Sequence, residues 1–228
     1  MKVFVTATDT EVGKTNYCAN LASQLAGLNR RVAYFKPFQS GVYEDEMTDA
    51  DFVRCFDKKV GAHTGYVTKL PCTPMLSAQA EGVEYDLKKI KKQFVALEEN
   101  YDDILVEGSG GLLVPVKKGI LMSDVIKMLA LPVIIIARPN LGTINHTLMT
   151  IRCARQIGLK ILGVVINNFP SYAKDPVLEQ AKPMIEEFSG GVKVISTIEH
   201  SRDFKCKEDL LKGFEKELKK ELNPAQKG

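Results

Sequence analysis

The sequence has no tryptophan, and no basic stripe with interleaved aromatic residues breaks its near balance of charge, a net +3. No nucleic-acid partner is expected from such a chain. Five cysteines stand at positions 18, 55, 72, 153 and 206, an odd count without a C-x-x-C pair, and the spacing matches no zinc ribbon or disulfide scaffold. Cys18 and Cys153 sit within apolar runs, where cysteine acts as a small hydrophobe, and a reducing, cytoplasmic compartment is expected. Long apolar runs are missing too. The longest, Met128 to Ala137, is interrupted by Pro132 and ends at Arg138, well short of the ~20 residues that cross a bilayer as a helix. Val3-Phe4-Val5 is too short for the core of a secretory signal. No membrane partner is expected.

What is present suits one α/β domain over residues 1–228, with 45% hydrophobic and 26% charged residues. Lys2 to Thr6 reads as a first strand, Lys14 to about Leu28 as a helix, and Arg31 to Phe35 as a second strand. Leu87, Ile90, Phe94 and Leu97 recur at helical spacing behind Asp86, a good N-cap. Asp103–Val106, Val133–Ile136 and Ile161–Ile166 are β-branched runs without polar alternation, the pattern of strands covered on both faces. Between the last two, Thr143 to Ile157 has a helical face of Ile144, Leu148, Ile151 and Ala154, closed by Gly158. Strands alternating with helices predict a mostly parallel sheet covered by helices on both faces, with its chemistry beyond the strands' carboxyl ends. A Lys/Glu-rich segment, Lys207 to Glu221, predicts a surface helix before a frayed tail.

The first strand runs into Ala7-Thr8-Asp9-Thr10-Glu11-Val12-Gly13-Lys14-Thr15 and then a helix. Strand, loop ending in Gly-Lys-Thr, and helix together form a phosphate loop of the P-loop NTPase type. Free N–H groups and the dipole at the helix start favour an anion there. Gly13 lets the backbone approach phosphates, Lys14 reaches the outer ones, and the Thr15 hydroxyl suits magnesium. The first glycine usual in this motif is replaced by Thr8. A strand ending in Glu107, followed by Gly108-Ser109-Gly110-Gly111, adds a carboxylate for the metal side and room for phosphate. Lys36, after the second strand and before Pro37, is placed to neutralise charge developing during phosphoryl transfer.

Taken together, Thr8 to Thr15, Lys36-Pro37 with Ser40-Gly41, Val106-Glu107-Gly108 with Gly110-Gly111, and Leu141-Gly142 with Ile144-Asn145-His146 resemble successive blocks of the dethiobiotin synthetase family, over residues 3 to about 168. The resemblance implies a ligase of biotin biosynthesis that uses ATP and magnesium. It would close 7,8-diaminononanoate and carbon dioxide (bicarbonate) into dethiobiotin through a carbamate and a carbamic-phosphoric anhydride. It further implies that Thr10, Lys14, Lys36 and Ser40 surround the reacting groups, with Thr10, Lys14 and Lys36 catalytic. Nucleotide contacts would come from Glu11, Val12, Gly13, Lys14, Thr15, Asn16, Glu107, Gly108, Ser109, Gly110 and, at the base, Asn167. Thr15, Glu107 and an aspartate of Asp49-Ala50-Asp51 would hold magnesium. Asp51 is preferred because the apolar helical run Phe52, Val53, Phe56 follows it; Asp49 is the alternative, and both suit a helix cap. The family is a homodimer in which Gly142, Ile144 and Asn145, at a helix start, receive the substrate tail from the partner subunit.

The pattern departs from the family near the C-terminus. A Gly-x-Ile-Pro stretch normally completes the base pocket, and this chain has Ser196-Thr197-Ile198-Glu199. Relaxed base selectivity is therefore expected, with GTP or CTP within roughly one order of magnitude of ATP. Three rivals fit less well. An amidotransferase-type synthetase carries a further glutaminase domain with a reactive cysteine. A switch ATPase of the partition or division-site type carries a signature lysine where this chain has Asp9. A nucleotide-binding module without chemistry does not account for Lys36 and Glu107.

Overall fold

β1 (Lys2–Ala7) carries Val3, Phe4 and Val5 into the centre of the molecule, where none of the three meets solvent. The computed structural model describes residues 1–44, 46–169 and 176–199. After β1 come α1 (Lys14–Gly27), β2 (Val32–Ser40), α2 (Asp49–Phe56), β3 (Gly61–Thr68), α3 (Pro74–Ala80), α4 (Leu87–Asn100) and β4 (Asp103–Glu107). A short antiparallel pair, β5 (Pro115–Lys117) and β6 (Ile120–Leu121), precedes α5 (Met122–Leu129) and β7 (Val133–Ala137). Then follow α6 (Thr143–Gln156), β8 (Ile161–Phe169), α7 (Pro176–Phe188) and β9 (Val194–Glu199).

Seven strands make one sheet in the order β3-β2-β4-β1-β7-β8-β9, and every neighbouring pair is parallel. Alternation along the strands divides the core. Val3, Val5 and Ala7 of β1 pack with Tyr17, Cys18 and Leu21 of α1 and Val53 of α2. Phe4 packs on the opposite face with Ile90 and Phe94 of α4, Ile126 of α5 and Ile151 of α6. Apolar residues on both sides of each strand explain the unalternated runs in the sequence. Asp86 caps α4 as expected, its side chain accepting from Lys88 N at 2.8 Å. Among the described residues no helix is long and apolar enough to cross a membrane.

The same alternation builds the site. Tyr34 of β2 and Leu105 of β4 face α1, whereas Phe35 and Val106 face away. The register pairs Tyr34 with Leu105 and Phe35 with Val106. One step further along each strand, Lys36 and Glu107 therefore return to the α1 face side by side. β2 does not end at Phe35, as the sequence pattern suggests, but continues to Ser40. Its pairing with β4 stops at Phe35 while pairing with β3 runs on through Phe38 and Ser40. Pro37, without an N–H, is tolerated where the strand is paired on one side only. Lys36 is thus held in a strand, not in a loop.

β3 is not marked by an apolar run, because it is an edge strand with two glycines set by close packing. A Cβ on Gly65 would stand 2.4 Å from the Pro37 carbonyl oxygen, and one on Gly61 2.2 Å from the Tyr101 hydroxyl. The segment 196–199 lies within β9. The helix expected over Lys207 to Glu221 lies outside the described residues.

Candidate active site

The phosphate loop is held from below and from one side. Thr8 N donates to Ile136 O at 2.9 Å, fastening the loop to β7. Val12 is buried in the core on the α1 face and anchors the loop's middle. Asn167, at the carboxyl end of β8, donates from Nδ2 to Val12 O at 2.9 Å and Gly13 O at 3.1 Å. Arg138, just after β7, donates from Nη2 to Asp9 Oδ2 and to Thr10 O, each at 2.8 Å. Between these ties the backbone takes left-handed conformations at Glu11 (φ 53°) and at Gly13 (φ 84°), the N-cap of α1. Glycine bears that geometry without cost, and a glutamate does not. The outcome is a helix start whose first-turn N–H groups have no intrahelical partner, the setting for a phosphate.

Above the loop a cavity of about 420 Å³ is lined by Thr10, Lys14, Thr15, Lys36, Asp49 and Glu107 together with Glu11, Gly13, Ser40, Ser109 and Gly110. Glu107 is its charged centre, with 1% of its surface exposed. Its Oε1 accepts from Lys36 Nζ at 2.7 Å and from Thr15 Oγ1 at 2.9 Å, and its Oε2 accepts from Tyr34 Oη at 2.7 Å. Lys36 also lies 2.6 Å from Asp49 Oδ2. Burial by itself would lower the Lys36 pKa, but the carboxylates of Glu107 and Asp49 outweigh it and the net shift is upward. Lys14 moves the other way: burial lowers its pKa, Lys36 adds to that, and Glu107 opposes it only in part. Its Nζ has the Asp9 carbonyl oxygen at 3.4 Å. Burial raises the Tyr34 phenol well above its usual range, reinforced by Glu107, so Tyr34 remains a neutral donor.

Ser109 donates to the Phe38 carbonyl and ties the glycine-rich turn after β4 to β2. Gly110, at φ 67°, and Gly108, whose Cβ would lie 2.8 Å from Phe4, leave that turn no room for larger residues. Gly108 therefore shapes the site without lining it. Asn16 is likewise outside the cavity, its backbone carbonyl and Oδ1 accepting from Asn20. Ser40 faces the cavity and donates to Cys72 O at 2.7 Å.

One expectation is corrected and another is narrowed. Asp51 is not the aspartate at the site. Thr48 is the N-cap of α2, and Asp51, three residues on, closes a capping box with it and pairs with Arg54 at 2.9 Å. Asp49 is the residue that reaches Lys36. Asn167 does not have its whole amide free for a base. Both carbonyls it faces require its Nδ2 hydrogens, and its buried Oδ1 has no partner among the described residues. Gly142, Ile144 and Asn145 form the start of α6, with Gly142 a left-handed N-cap at φ 94°, but they do not line the cavity of their own chain. Asn145 instead borders a groove between α6 and the end of α7, with Met149, Arg152 and Phe188.

Sequence reasoning passed over Tyr34 and Arg138. Strand alternation from Lys36 would have found Tyr34. Arg138 was visible as a cation directly after a buried strand adjoining the phosphate loop.

The donor set suits a hard divalent cation. One hydroxyl, Thr15, and two carboxylates, Asp49 and Glu107, face one cavity, and the Lys36 ammonium lies between the carboxylates. Among the described residues no group of three or more His, Cys, Asp or Glu is placed to enclose a metal. A hydroxyl with two carboxylates suits magnesium where phosphates and water complete its shell.

A family model described as an AAA domain matches residues 1–207. The ATP-dependent dethiobiotin synthetase BioD of Methanococcus vannielii is 40% identical over 208 residues, 89% of this chain and 95% of that protein. The same enzyme of Bacillus subtilis is 38% identical, covering 82% of each chain. Among solved structures, the septum site-determining protein MinD complexed with Mg-ADP from Pyrococcus horikoshii gives a TM-score of 0.56 at 15% identity, covering 99% of this chain and 98% of that one. A ParA family ATPase from Chlorobium tepidum gives 0.56 at 14%, covering 98% and 93%. These structures share the fold; the sequence relatives fix the kinship, and the chain belongs to the dethiobiotin synthetase family.

Proposed function

We propose that the cavity over the phosphate loop joins 7,8-diaminononanoate and carbon dioxide into the cyclic urea of dethiobiotin. The chain is an ATP-dependent ligase of biotin biosynthesis. One amine of the substrate takes up carbon dioxide as a carbamate. A carbamate oxygen attacks the γ-phosphorus while the bond to the β–γ bridging oxygen breaks, and ADP leaves. The second amine then attacks the carbonyl carbon, loses its proton, and expels phosphate as the ring closes. The observation that carries this reading is Lys36. A module that only held a nucleotide would not need a second buried lysine within 2.7 Å of two carboxylates, facing the same cavity as Lys14.

In this reading Lys14 holds the outer phosphates, and Lys36 meets the charge that develops on the transferring group and carbamate. Thr10 and Ser40 hold the carbamate side. Glu11, Gly13, Ser109 and Gly110 shape the nucleotide path, Val12 and Gly108 support it from the core, and Asn16 flanks it. Magnesium, bound with the nucleotide, supplies neutralisation of the phosphate oxygens; Thr15, Asp49 and Glu107 are the residues that would hold it.

The start of α6 would serve a partner subunit in a homodimer. Leu141, beside it, is 91% exposed, and Met149 and Phe188, which line the α6–α7 groove with Asn145, are exposed as well. A cytoplasmic location agrees with the free thiols of Cys18, Cys55, Cys72 and Cys153. Residues 1–228 are read as one domain.

The switch-ATPase alternative is disfavoured by Asp9, which accepts from Arg138 of its own chain where a signature lysine would stand. Phosphate release with magnesium and ATP should require both bicarbonate and the diamine, and a cyclic urea should accumulate. Equal release without the diamine would sink the synthetase reading.

A further inference from the structure

The two oxygens of Glu107 keep different company. Oε1 is shared by Lys36 Nζ at 2.7 Å and Thr15 Oγ1 at 2.9 Å, both of which line the cavity. Oε2 accepts from Tyr34 Oη at 2.7 Å, and Tyr34 is not part of that lining. Its ring is fully buried between the sheet and α1, in the cluster that includes Tyr17, Cys18 and Leu21. Tyr34 precedes Lys36 by two residues on the same face of β2, so it forms the floor on which the carboxylate stands. A ring packed in that core cannot follow the carboxylate if it turns.

We propose that Tyr34 is a positioning residue that restricts Glu107 to presenting one oxygen to the cavity, and that it thereby biases the site toward magnesium over calcium. The inference rests on the reading that Glu107 serves the metal. Magnesium takes six ligands in near-octahedral geometry at about 2.0–2.1 Å, whereas calcium takes six to eight oxygens at about 2.3–2.6 Å and commonly uses both oxygens of a carboxylate. Bidentate binding requires Oε2 to turn from the floor toward the cavity and give up the Tyr34 hydrogen bond. A site with Tyr34 in place therefore penalises the larger ion. Without that hydroxyl, Oε2 loses its Tyr34 donor, the weakly donating Cys18 thiol being the other buried group that hydrogen-bonds Glu107, and turning Oε2 toward a cation becomes less costly.

Calorimetric titration of ADP into the full chain in magnesium chloride, in calcium chloride and in EDTA tests this without reference to turnover. Tyr34→Phe removes one oxygen and keeps the ring. It should weaken ADP binding in magnesium and strengthen it in calcium, moving the magnesium-to-calcium affinity ratio about tenfold toward calcium. Binding in EDTA should stay within twofold of the parent, as estimated for a contact that acts through the metal alone. Tyr34→Met, which also removes the donor, should move the ratio the same way and serves if the first variant does not fold. A ratio within twofold of the parent in either folded variant would overturn the proposal, on the same order-of-magnitude scale. Glu107→Gln separates the levels. If it keeps the parent's magnesium dependence, the metal role of Glu107 falls and this inference with it. If it loses that dependence while Tyr34→Phe keeps the parent's ratio, only the role of Tyr34 falls.

Discussion

Lys36 Nζ lies 2.6 Å from Asp49 Oδ2, joining the strand on one side of the cavity to the first residue of the helix on the other. Two lysines thus face the cavity with opposite surroundings. Lys14 has a lowered pKa because burial dominates, and Lys36 a raised one because two carboxylates overcome burial. Lys36 is therefore held as an ammonium compensated by Asp49 and Glu107.

Lys14→Ala should abolish turnover and weaken ATP binding, since its charge acts on the phosphates of bound nucleotide as well as in the transition state. Lys36→Ala should lower kcat by about 100-fold with ATP affinity within a few-fold, the signature of a group acting mainly on transition-state charge. Calorimetric ATP titration beside steady-state rates distinguishes them. A collapse of affinity equal to the loss of rate would make Lys36 a ground-state phosphate ligand.

The aspartates of α2 should divide stability from metal use. Asp51→Ala breaks the capping box with Thr48 and the pair with Arg54. It should cost about 1 kcal/mol of stability, within the range for lost caps, and leave the magnesium dependence of turnover unchanged. Asp49→Ala should raise the magnesium concentration needed for half-maximal rate with little change in melting temperature. Thermal melts and magnesium titrations of both variants suffice, and the reverse pattern would return Asp51 to the site.

These residues also show what could be read beforehand. The five expected strands and the α1, α4 and α6 helices were legible, because buried β-branched runs and helical spacing are strong local signals. Asp49 was obscured by a helix boundary. Thr48 with an acidic residue three positions later is a capping signature, and placing it shifts the helix start so that Asp49, not Asp51, faces β2. β3 was invisible for a different reason: its glycines answer to Pro37 and Tyr101, distant in sequence, so no local pattern announces them. The α6 start lies outside its own chain's cavity, so the role proposed for it requires a second copy of the chain.

Arg138 should matter to catalysis more than to stability. Its pair with Asp9 is partly exposed on both sides, 38% and 59%, and such pairs contribute about 0–1 kcal/mol. Its second bond, to Thr10 O, fixes the backbone of the phosphate loop where it borders the cavity. Arg138→Ala should therefore leave the melting temperature nearly unchanged while lowering kcat/KM for ATP by about tenfold, through a loosened loop. A large loss of melting temperature with unaltered kcat/KM would make Arg138 a structural tie only.

Base selection should follow from what Asn167 has left to offer. Its Nδ2 hydrogens are committed to Val12 O and Gly13 O, and only the buried Oδ1 lacks a partner among the described residues. An acceptor fits the amino group that adenine and cytosine carry at equivalent edges, whereas guanine and uracil present an oxygen there, as thymine does. Opposing two acceptors leaves both unpaired, at about 1–3 kcal/mol for a buried group. The expectation of broad tolerance is accordingly narrowed. CTP should support turnover within about tenfold of ATP, a gap of ~1.4 kcal/mol. GTP and UTP should fall a further ~10-fold or more, since the unpaired acceptor is added to any loss of fit. Steady-state kinetics with the four triphosphates at matched magnesium decide it. GTP as effective as ATP would mean that Oδ1 does not face the base, and Asn167 would then serve only to hold the phosphate loop.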